Sequence, residues 1–391
     1  MTWLVTGTGA VCSVGRGTGE VFEALCAGRS GLAGLRSFPR DRFRVTHAYE
    51  IDDRPEGGDD LPGRATGWLL DAVAEALADA GVGEDLSEVP VLVGTGLREL
   101  RSAELWWNRA GRGGTVPDET GDLARLHFGT ALRERFGATA TYTFSNACSA
   151  SLYALALATD LLATGGAETV VVAGVDGITT SMHGLLDRVH AEPPDAVRPF
   201  DRMRRGVLMG EGAAAVVLRA SGGSGAGRAP AARGLLRSVG VSCDAFHVTA
   251  PDPKGIAGAV RQAHARAGIK PSDVDLVMLH GTGTLLNDEA EAIAIAEVFA
   301  EWAGKPMMTA VKSMTGHTSG GSGLLGLVTA VRALAEGRVP PTVGLNEPVA
   351  EAAGFRFVRD RAEPAEMSLA QVNAFGFGGV NAVAIVERTA S

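Results

Sequence analysis

Short apolar runs alternate along this chain with stretches whose apolar residues recur every three or four positions. Residues 3–5 read as a strand entering a glycine-rich turn, Thr6-Gly-Thr-Gly. Residues 64–80 carry helical periodicity and stop at Gly81, a residue type that closes helices by taking left-handed backbone. Residues 89–93 and 170–173 are apolar throughout, as in strands covered on both faces, and 213–218 form a further strand. Residues 151–163 read as a strongly apolar helix. The pattern resumes after Leu235 with helices at 256–267, 289–299 and 324–335, and strands at 276–279, near 307–311 and at 382–387. Helices alternating with buried strands predict an α/β architecture. Residues 98–125 read as a lid-like polar excursion, 187–209 as a loop rich in Arg and Pro, and 221–233 as a linker dividing the chain into halves, 1–234 and 235–391.

The halves resemble distant copies of one another. Gly210-Glu-Gly-Ala-Ala-Ala-Val-Val-Leu-Arg parallels Gly378-Gly-Val-Asn-Ala-Val-Ala-Ile-Val-Glu: a glycine turn, a strand, then a charge. The helix closing in Leu161-Leu-Ala-Thr-Gly parallels the one closing in Ala333-Leu-Ala-Glu-Gly. Counting back along both helices places the segment at Cys148 and the segment 317–320 in equivalent positions. A duplicated fold would bring those segments together at a pseudo-twofold axis.

Composition narrows the function. With 391 residues, 46% of them hydrophobic, the chain can bury a large core without staples. Its net charge of −9 argues against nucleic acid or an anionic membrane as partner. No apolar run reaches the roughly 18 residues of a membrane helix. The N-terminus lacks the charged region of a signal peptide. Cys12, Cys26, Cys148 and Cys243 form no CxxC pair and have no His spaced for zinc, so no metal is expected; they read as reduced thiols of a cytoplasmic protein. A dinucleotide fingerprint at Thr6-Gly-Thr-Gly fails because its third glycine would fall on Cys12.

Three residues stand out chemically. Cys148, in Thr143-Phe-Ser-Asn-Ala-Cys-Ser-Ala-Ser, precedes an apolar helix, where the unpaired N–H groups and the macrodipole favour a thiolate. The other three cysteines read as buried and inert. His280 ends an apolar strand and opens His280-Gly-Thr-Gly-Thr, facing the crevice where α/β proteins bind ligands. His317 lies in a second glycine-rich turn, Lys312-Ser-Met-Thr-Gly-His-Thr-Ser-Gly-Gly-Ser-Gly. His47, His127, His183, His190, His247 and His264 lack such a setting and read as structural. Gly376-Phe-Gly-Gly, just before the last strand, suits either an oxyanion site or a plain tight turn.

These motifs resemble the β-ketoacyl synthases, the Cys-His-His condensing enzymes of the thiolase superfamily found in stand-alone fatty-acid and polyketide systems. The likeness runs from Trp3-Leu-Val-Thr-Gly-Thr-Gly-Ala-Val through Asn146-Ala-Cys-Ser-Ala, Arg198-Pro-Phe-Asp-Arg and Gly210-Glu-Gly-Ala. It continues through Asp244-Ala-Phe-His-Val-Thr-Ala-Pro-Asp-Pro, His280-Gly-Thr-Gly-Thr, Lys312-Ser-Met-Thr-Gly-His, Pro340-Pro-Thr and Asn373-Ala-Phe-Gly-Phe-Gly-Gly-Val-Asn.

The resemblance implies a five-layered αβαβα thiolase fold with two pseudo-duplicated halves. It implies an acyltransferase, a 3-oxoacyl-[acyl carrier protein] synthase: Cys148 takes an acyl chain from an acyl carrier protein, and His280 and His317 promote decarboxylation of the malonyl-carrier protein. Lys312 would organise the site, paired with Glu291. Thr282 and Thr284 would hold the pantetheine arm, and Phe377 would gate Cys148 and share its oxyanion hole. Substrates would ride on carrier phosphopantetheine with no other cofactor. The protein would form a homodimer, or a heterodimer with a chain-length-factor-like homologue.

The sequence departs from the family pattern at Ala173-Gly-Val-Asp-Gly, where Gly-Gly and then Glu are usual, and at Thr318-Ser-Gly-Gly-Ser-Gly, which is more polar and glycine-rich. A thiolase would need a second Cys in the last loop, where Phe377 stands. A chain-length factor would lack the nucleophile. An acyltransferase working without decarboxylation is a further alternative. The stretch Arg198-Pro-Phe-Asp-Arg-Met-Arg-Arg is a candidate carrier-docking patch, against its reading as a salt-bridged loop.

Overall fold

A computed structural model of the chain describes residues 2–54, 60–111, 126–221 and 231–389. Among these, two runs of five strands repeat one plan. The first holds β1 (Trp3–Cys12), β2 (Val91–Gly94), β3 (Thr141–Phe144), β4 (Thr169–Asp176) and β5 (Gly212–Ala220). The second holds β6 (Gly234–Cys243), β7 (Leu276–Met278), β8 (Met307–Thr309), β9 (Leu369–Gly376) and β10 (Val380–Glu387). Their spatial orders are β3-β2-β4-β5-β1 and β8-β7-β9-β10-β6. In each run the second strand pairs in parallel with the third and fourth, while the fifth runs antiparallel to both neighbours. The runs join where Trp3, Leu4 and Val5 pair with Leu236, Leu235 and Gly234.

Five helices give the layers: α1 (Arg64–Ala80), α2 (Ala150–Ala163), α3 (Pro253–Ala267), α4 (Leu285–Phe299) and α5 (Ser322–Glu336). Helices α2 and α5 each touch strands of both runs and fill the central core with Leu152, Leu155, Leu324 and Leu327. A helix covered over most of its circumference must be largely apolar, which accounts for residues 151–163; Leu157 and Asp160 mark the side of α2 left exposed. Helix α1 covers the outer face of the first run through Trp68, Leu69, Val73 and Leu77. Helices α3 and α4 cover the second run through Ile256, Val260, Ile295 and Phe299. The fold is the five-layered αβαβα arrangement.

Several elements differ from the sequence expectation. The segment 6–9 is not a turn: β1 runs unbroken to Cys12. Its glycines answer to α1, since a Cβ on Gly7 would lie 2.7 Å from Ala80 N and one on Gly9 would lie 2.9 Å from Ala72 C. Strands β6 and β9 went unread because serines, glycines, Arg237, Gln371 and Asn373 interrupt their apolar runs. The excursion at 98–125 holds a helix, Leu100–Ala110, and its part at 112–125 lies outside the described residues. The loop at 187–209 starts within a helix, Thr180–Val189, capped by the Thr179 hydroxyl accepting from Met182 N. Residues 222–230 of the linker also lie outside the described set. No helix among the described residues is long and apolar enough to cross a membrane.

Candidate active site

Cys148 sits in a single 3₁₀ turn, Ala147–Ser149, that feeds α2. The preceding Ala147 takes a left-handed φ of 58°, a conformation that costs a non-glycine residue about 1 kcal/mol and is held by its surroundings. The segment entering α5 repeats this arrangement: a 3₁₀ turn, Ser319–Gly321, with Ser319 at φ 44°. The two turns pack against each other, and the Ser322 hydroxyl donates to Cys148 O at 3.4 Å. The pairing expected from the internal repeat is therefore what the tertiary structure builds.

Both imidazoles reach this junction. His280 and His317 stand edge to face, ring centroids 5.4 Å apart and planes at 83°. His280 follows β7 and its backbone is clamped from two sides. Glu291 of α4 accepts from His280 N at 2.7 Å and Gly281 N at 2.9 Å, while Lys312 Nζ donates to His280 O at 2.6 Å. Lys312 Nζ also lies 3.3 Å from His280 Nδ1, which assigns that nitrogen as acceptor and leaves the proton on Nε2. His317 is held by its backbone, its N–H donating to Leu208 O at 2.9 Å and its carbonyl accepting from Gly210 N at 3.0 Å. Its Nδ1 is buried and finds no hydrogen-bond partner among the described residues.

The expected Lys312–Glu291 ion pair does not form as a direct contact. The two side chains grip opposite ends of the His280 peptide instead, because both carboxylate oxygens of Glu291 are taken by N–H groups. Sequence reasoning also missed the buried chain behind Glu291. Asn373 Nδ2 donates to Glu291 at 2.9 Å, Gln371 Nε2 donates to Asn373 at 2.8 Å, and His264 Nε2 lies 2.7 Å from Gln371 Oε1. The polar alternation Gln371, Asn373 on one face of an otherwise apolar strand was the available signal.

Electrostatics decide the protonation states. Burial, followed by the Lys312 charge, holds both imidazoles well below their ordinary value, so both are neutral near pH 7. Burial lowers Lys312 to about 8 and raises Glu291. The thiolate expected at Cys148 does not survive burial: desolvation pushes the thiol up to about 11. The Lys312 charge and the N–H groups of Phe377 and Cys148 oppose that rise, and Asp176 adds to it. Cys148 is only partly covered, whereas Cys12 and Cys26 are buried with raised pKa values. Cys243, expected to be buried, is exposed at the end of β6.

Phe377 lies in the hairpin between β9 and β10 and is 46% exposed, its backbone N–H turned to the Cys148 sulfur. The hairpin needs its glycines, with φ of 84° at Gly378 and 79° at Gly379. Thr282 and Thr284 put their hydroxyls 2.9 Å apart, and Thr284 also caps α4 by accepting from Asn287 N at 3.3 Å. In the Arg-rich stretch, carboxylates neutralise each guanidinium: Arg198 pairs with Asp195 at 2.6 Å, Arg202 with Glu347 at 2.7 Å, Arg204 with Asp288 at 3.8 Å and Arg205 with Glu192 at 3.3 Å. That is the salt-bridged loop rather than a free basic patch.

Comparison with known proteins agrees with this geometry. Residues 63–221 match the family model described as the beta-ketoacyl synthase N-terminal domain, and residues 233–346 its C-terminal domain. The chain is 28% identical to 3-oxoacyl-[acyl-carrier-protein] synthase 2 of Coxiella burnetii over 98% of both chains. It is 30% identical to nodulation protein E of Rhizobium meliloti over 97% of both. The solved structure described as the ishigamide ketosynthase/chain length factor superposes with a TM-score of 0.90 at 31% identity, covering 100% of this chain and 99% of that one. A fold of two mirrored five-strand runs, with a thiol and two imidazoles at their junction, together with these matches, places the chain in the β-ketoacyl synthase family.

Proposed function

We propose that the chain is a 3-oxoacyl-[acyl carrier protein] synthase that forms a carbon–carbon bond by decarboxylative condensation. The observation that carries this is the junction itself: one partly exposed thiol under two backbone N–H groups, beside two neutral imidazoles and one ammonium. The thiol of Cys148 attacks the thioester carbonyl of an acyl-carrier protein. The carbonyl oxygen becomes an oxyanion, held by the N–H groups of Cys148 and Phe377. The carrier sulfur leaves with a proton, and the chain is now a thioester on Cys148, which divides one hard step into two easier ones.

The malonyl-carrier protein then enters. Its bond to the carboxylate breaks, CO₂ leaves, and the electron pair moves into the thioester as an enolate. Neutral His280 and His317 can each donate one N–H to that enolate oxygen as its charge develops. The enolate carbon attacks the acyl thioester, the new bond forms, and Cys148 leaves and regains a proton. Lys312 holds His280 through its carbonyl and Nδ1, and Glu291 fixes the same peptide from the other side. Thr282 and Thr284 are the proposed contacts for the pantetheine arm, with Phe377 as the gate.

The named relatives support the carrier protein as partner. The ketosynthase/chain length factor neighbour supports pairing with a second subunit of this family. Among the described residues strand β3 ends the sheet with an open edge and a half-exposed Tyr142, which suits such pairing. The proposed halves remain 1–234 and 235–391, and the proposed location is the cytoplasm. Intact-mass analysis with acyl- and malonyl-carrier proteins tests the assignment. The wild type gains an acyl adduct, Cys148→Ala gains none, and CO₂ release requires His280 and His317. An adduct that persists in Cys148→Ala overturns it, and acylation without CO₂ release points to the non-decarboxylating acyltransferase.

A further inference from the structure

The fold presents a helix-entry turn twice, and the two copies are treated differently. Strand β4 corresponds to β9, and the turn Ala147–Ser149 to Ser319–Gly321, so Asp176 corresponds to Gly376 and Cys148 to Gly320. At the first turn Gly376 has no side chain. A Cβ there would lie 3.1 Å from Cys148 N, so the space over that N–H is kept clear. At the second turn Asp176 puts a carboxylate on the equivalent group, accepting from Gly320 N at 2.6 Å. The same carboxylate accepts from Gly96 N, Leu97 N and the Thr95 hydroxyl, each at 2.7 Å.

Asp176 is fully buried, and these four bonding partners are neutral donors. Such a set stabilises an ionised carboxylate in the way an oxyanion hole stabilises an oxyanion. Burial raises its pKa to about 6, which still leaves it ionised at neutral pH. The backbone of Gly320 presses directly on the loop after β2, since a Cβ there would meet Gly96 N at 2.5 Å and Thr95 Cα at 2.7 Å. The turn so held carries the strained Ser319, begins two residues after His317, and leads into Ser322, whose hydroxyl donates to Cys148 O.

We propose that Asp176 is a positioning residue: its carboxylate fills the anion seat that the duplicated fold leaves open at Cys148, and so fixes the His317–Gly320 turn in register with the nucleophile. The fixed anion acts on the step that uses His317 and not on acyl transfer to sulfur.

This inference rests on Cys148 as acyl acceptor and on the histidines as the decarboxylating pair, so the two half-reactions are measured separately. Asp176→Asn turns one acceptor into a donor facing N–H groups. CO₂ release from malonyl-carrier protein is expected to fall about 10- to 100-fold, the scale of a misplaced catalytic group. Acylation of Cys148, read by intact mass, stays within about threefold, and the pH midpoint of iodoacetamide alkylation moves down because a neighbouring anion has gone. Asp176→Ala is expected to regain CO₂ release with added formate and not with formamide.

Thr95→Val removes one donor from the same carboxylate and gives the same split at smaller amplitude if Asp176→Asn does not fold. Equal loss of both half-reactions, or loss of neither, in the folded variants overturns the role of Asp176. A wild-type adduct on a residue other than Cys148 overturns instead the functional reading beneath it.

Discussion

Gly376→Ala gives a sharp test of the proposed oxyanion hole. The new methyl would lie 3.1 Å from Cys148 N, 3.2 Å from the Ala147 Cβ and 2.9 Å from Val380 Cγ2. An oxyanion needs the same shell, 2.7–3.1 Å from its donors, so the methyl and the tetrahedral intermediate compete for one place. Gly376 is outside the left-handed region and the Val380 methyl can rotate, so the fold should lose no more than about 1–2 kcal/mol. Losing one oxyanion donor typically costs about 10²–10³ in rate, or about 3–4 kcal/mol of transition-state stabilisation. Rapid-quench acylation from an acyl-carrier protein, followed by intact mass, should therefore slow about a hundredfold or more. Alkylation of Cys148 by iodoacetamide forms no oxyanion and should change little. Acylation within about threefold of wild type, in a variant with an unchanged melting curve, would refute the placement of the oxyanion over Cys148 N–H.

Other outcomes follow from the same geometry. Lys312 loses its proton as pH rises through about 8, so CO₂ release should decline above that pH, and the alkaline decline should vanish in Lys312→Met. Both imidazoles are held well below 6.5, so their NMR shifts should not titrate between neutral pH and about 6, the range in which Asp176 and Glu291 take up protons; a histidine shift that titrates across that range would refute the neutral pair. Glu291→Gln sets an amide donor against the N–H of His280 or Gly281 and should lower CO₂ release about tenfold, through an unpaired buried donor worth about 1–3 kcal/mol. Gly7→Ala forces a methyl into the backbone of α1 and should cost about 2–3 kcal/mol, seen as a lower urea midpoint with unchanged slope.

Sequence alone determined the classes of element and singled out the candidate reactive residues. The helices at 64–80 and 256–267 announce themselves because helical periodicity and a terminal glycine are local signals, and the structure ends them on Gly81 and Gly268 in left-handed backbone. His280 and His317 were legible because each stands in a glycine-rich turn after a strand, and Cys148 because it stands among small residues at the start of an apolar helix. The internal repeat even placed Cys148 and His317 side by side. What the sequence could not carry was anything set by a distant partner. Gly7 and Gly9 look like a turn until α1 is laid across them. Strands β6 and β9 hide behind polar residues whose hydrogen-bond partners lie on α3 and α4. A helix terminus argues for a thiolate, but the desolvation that reverses the argument exists only once the rest of the fold packs around that turn. Glu291 and Lys312 were rightly grouped with His280, yet which atoms they hold was decided by the fold, since a carboxylate gives its oxygens to whichever N–H groups it is brought to first.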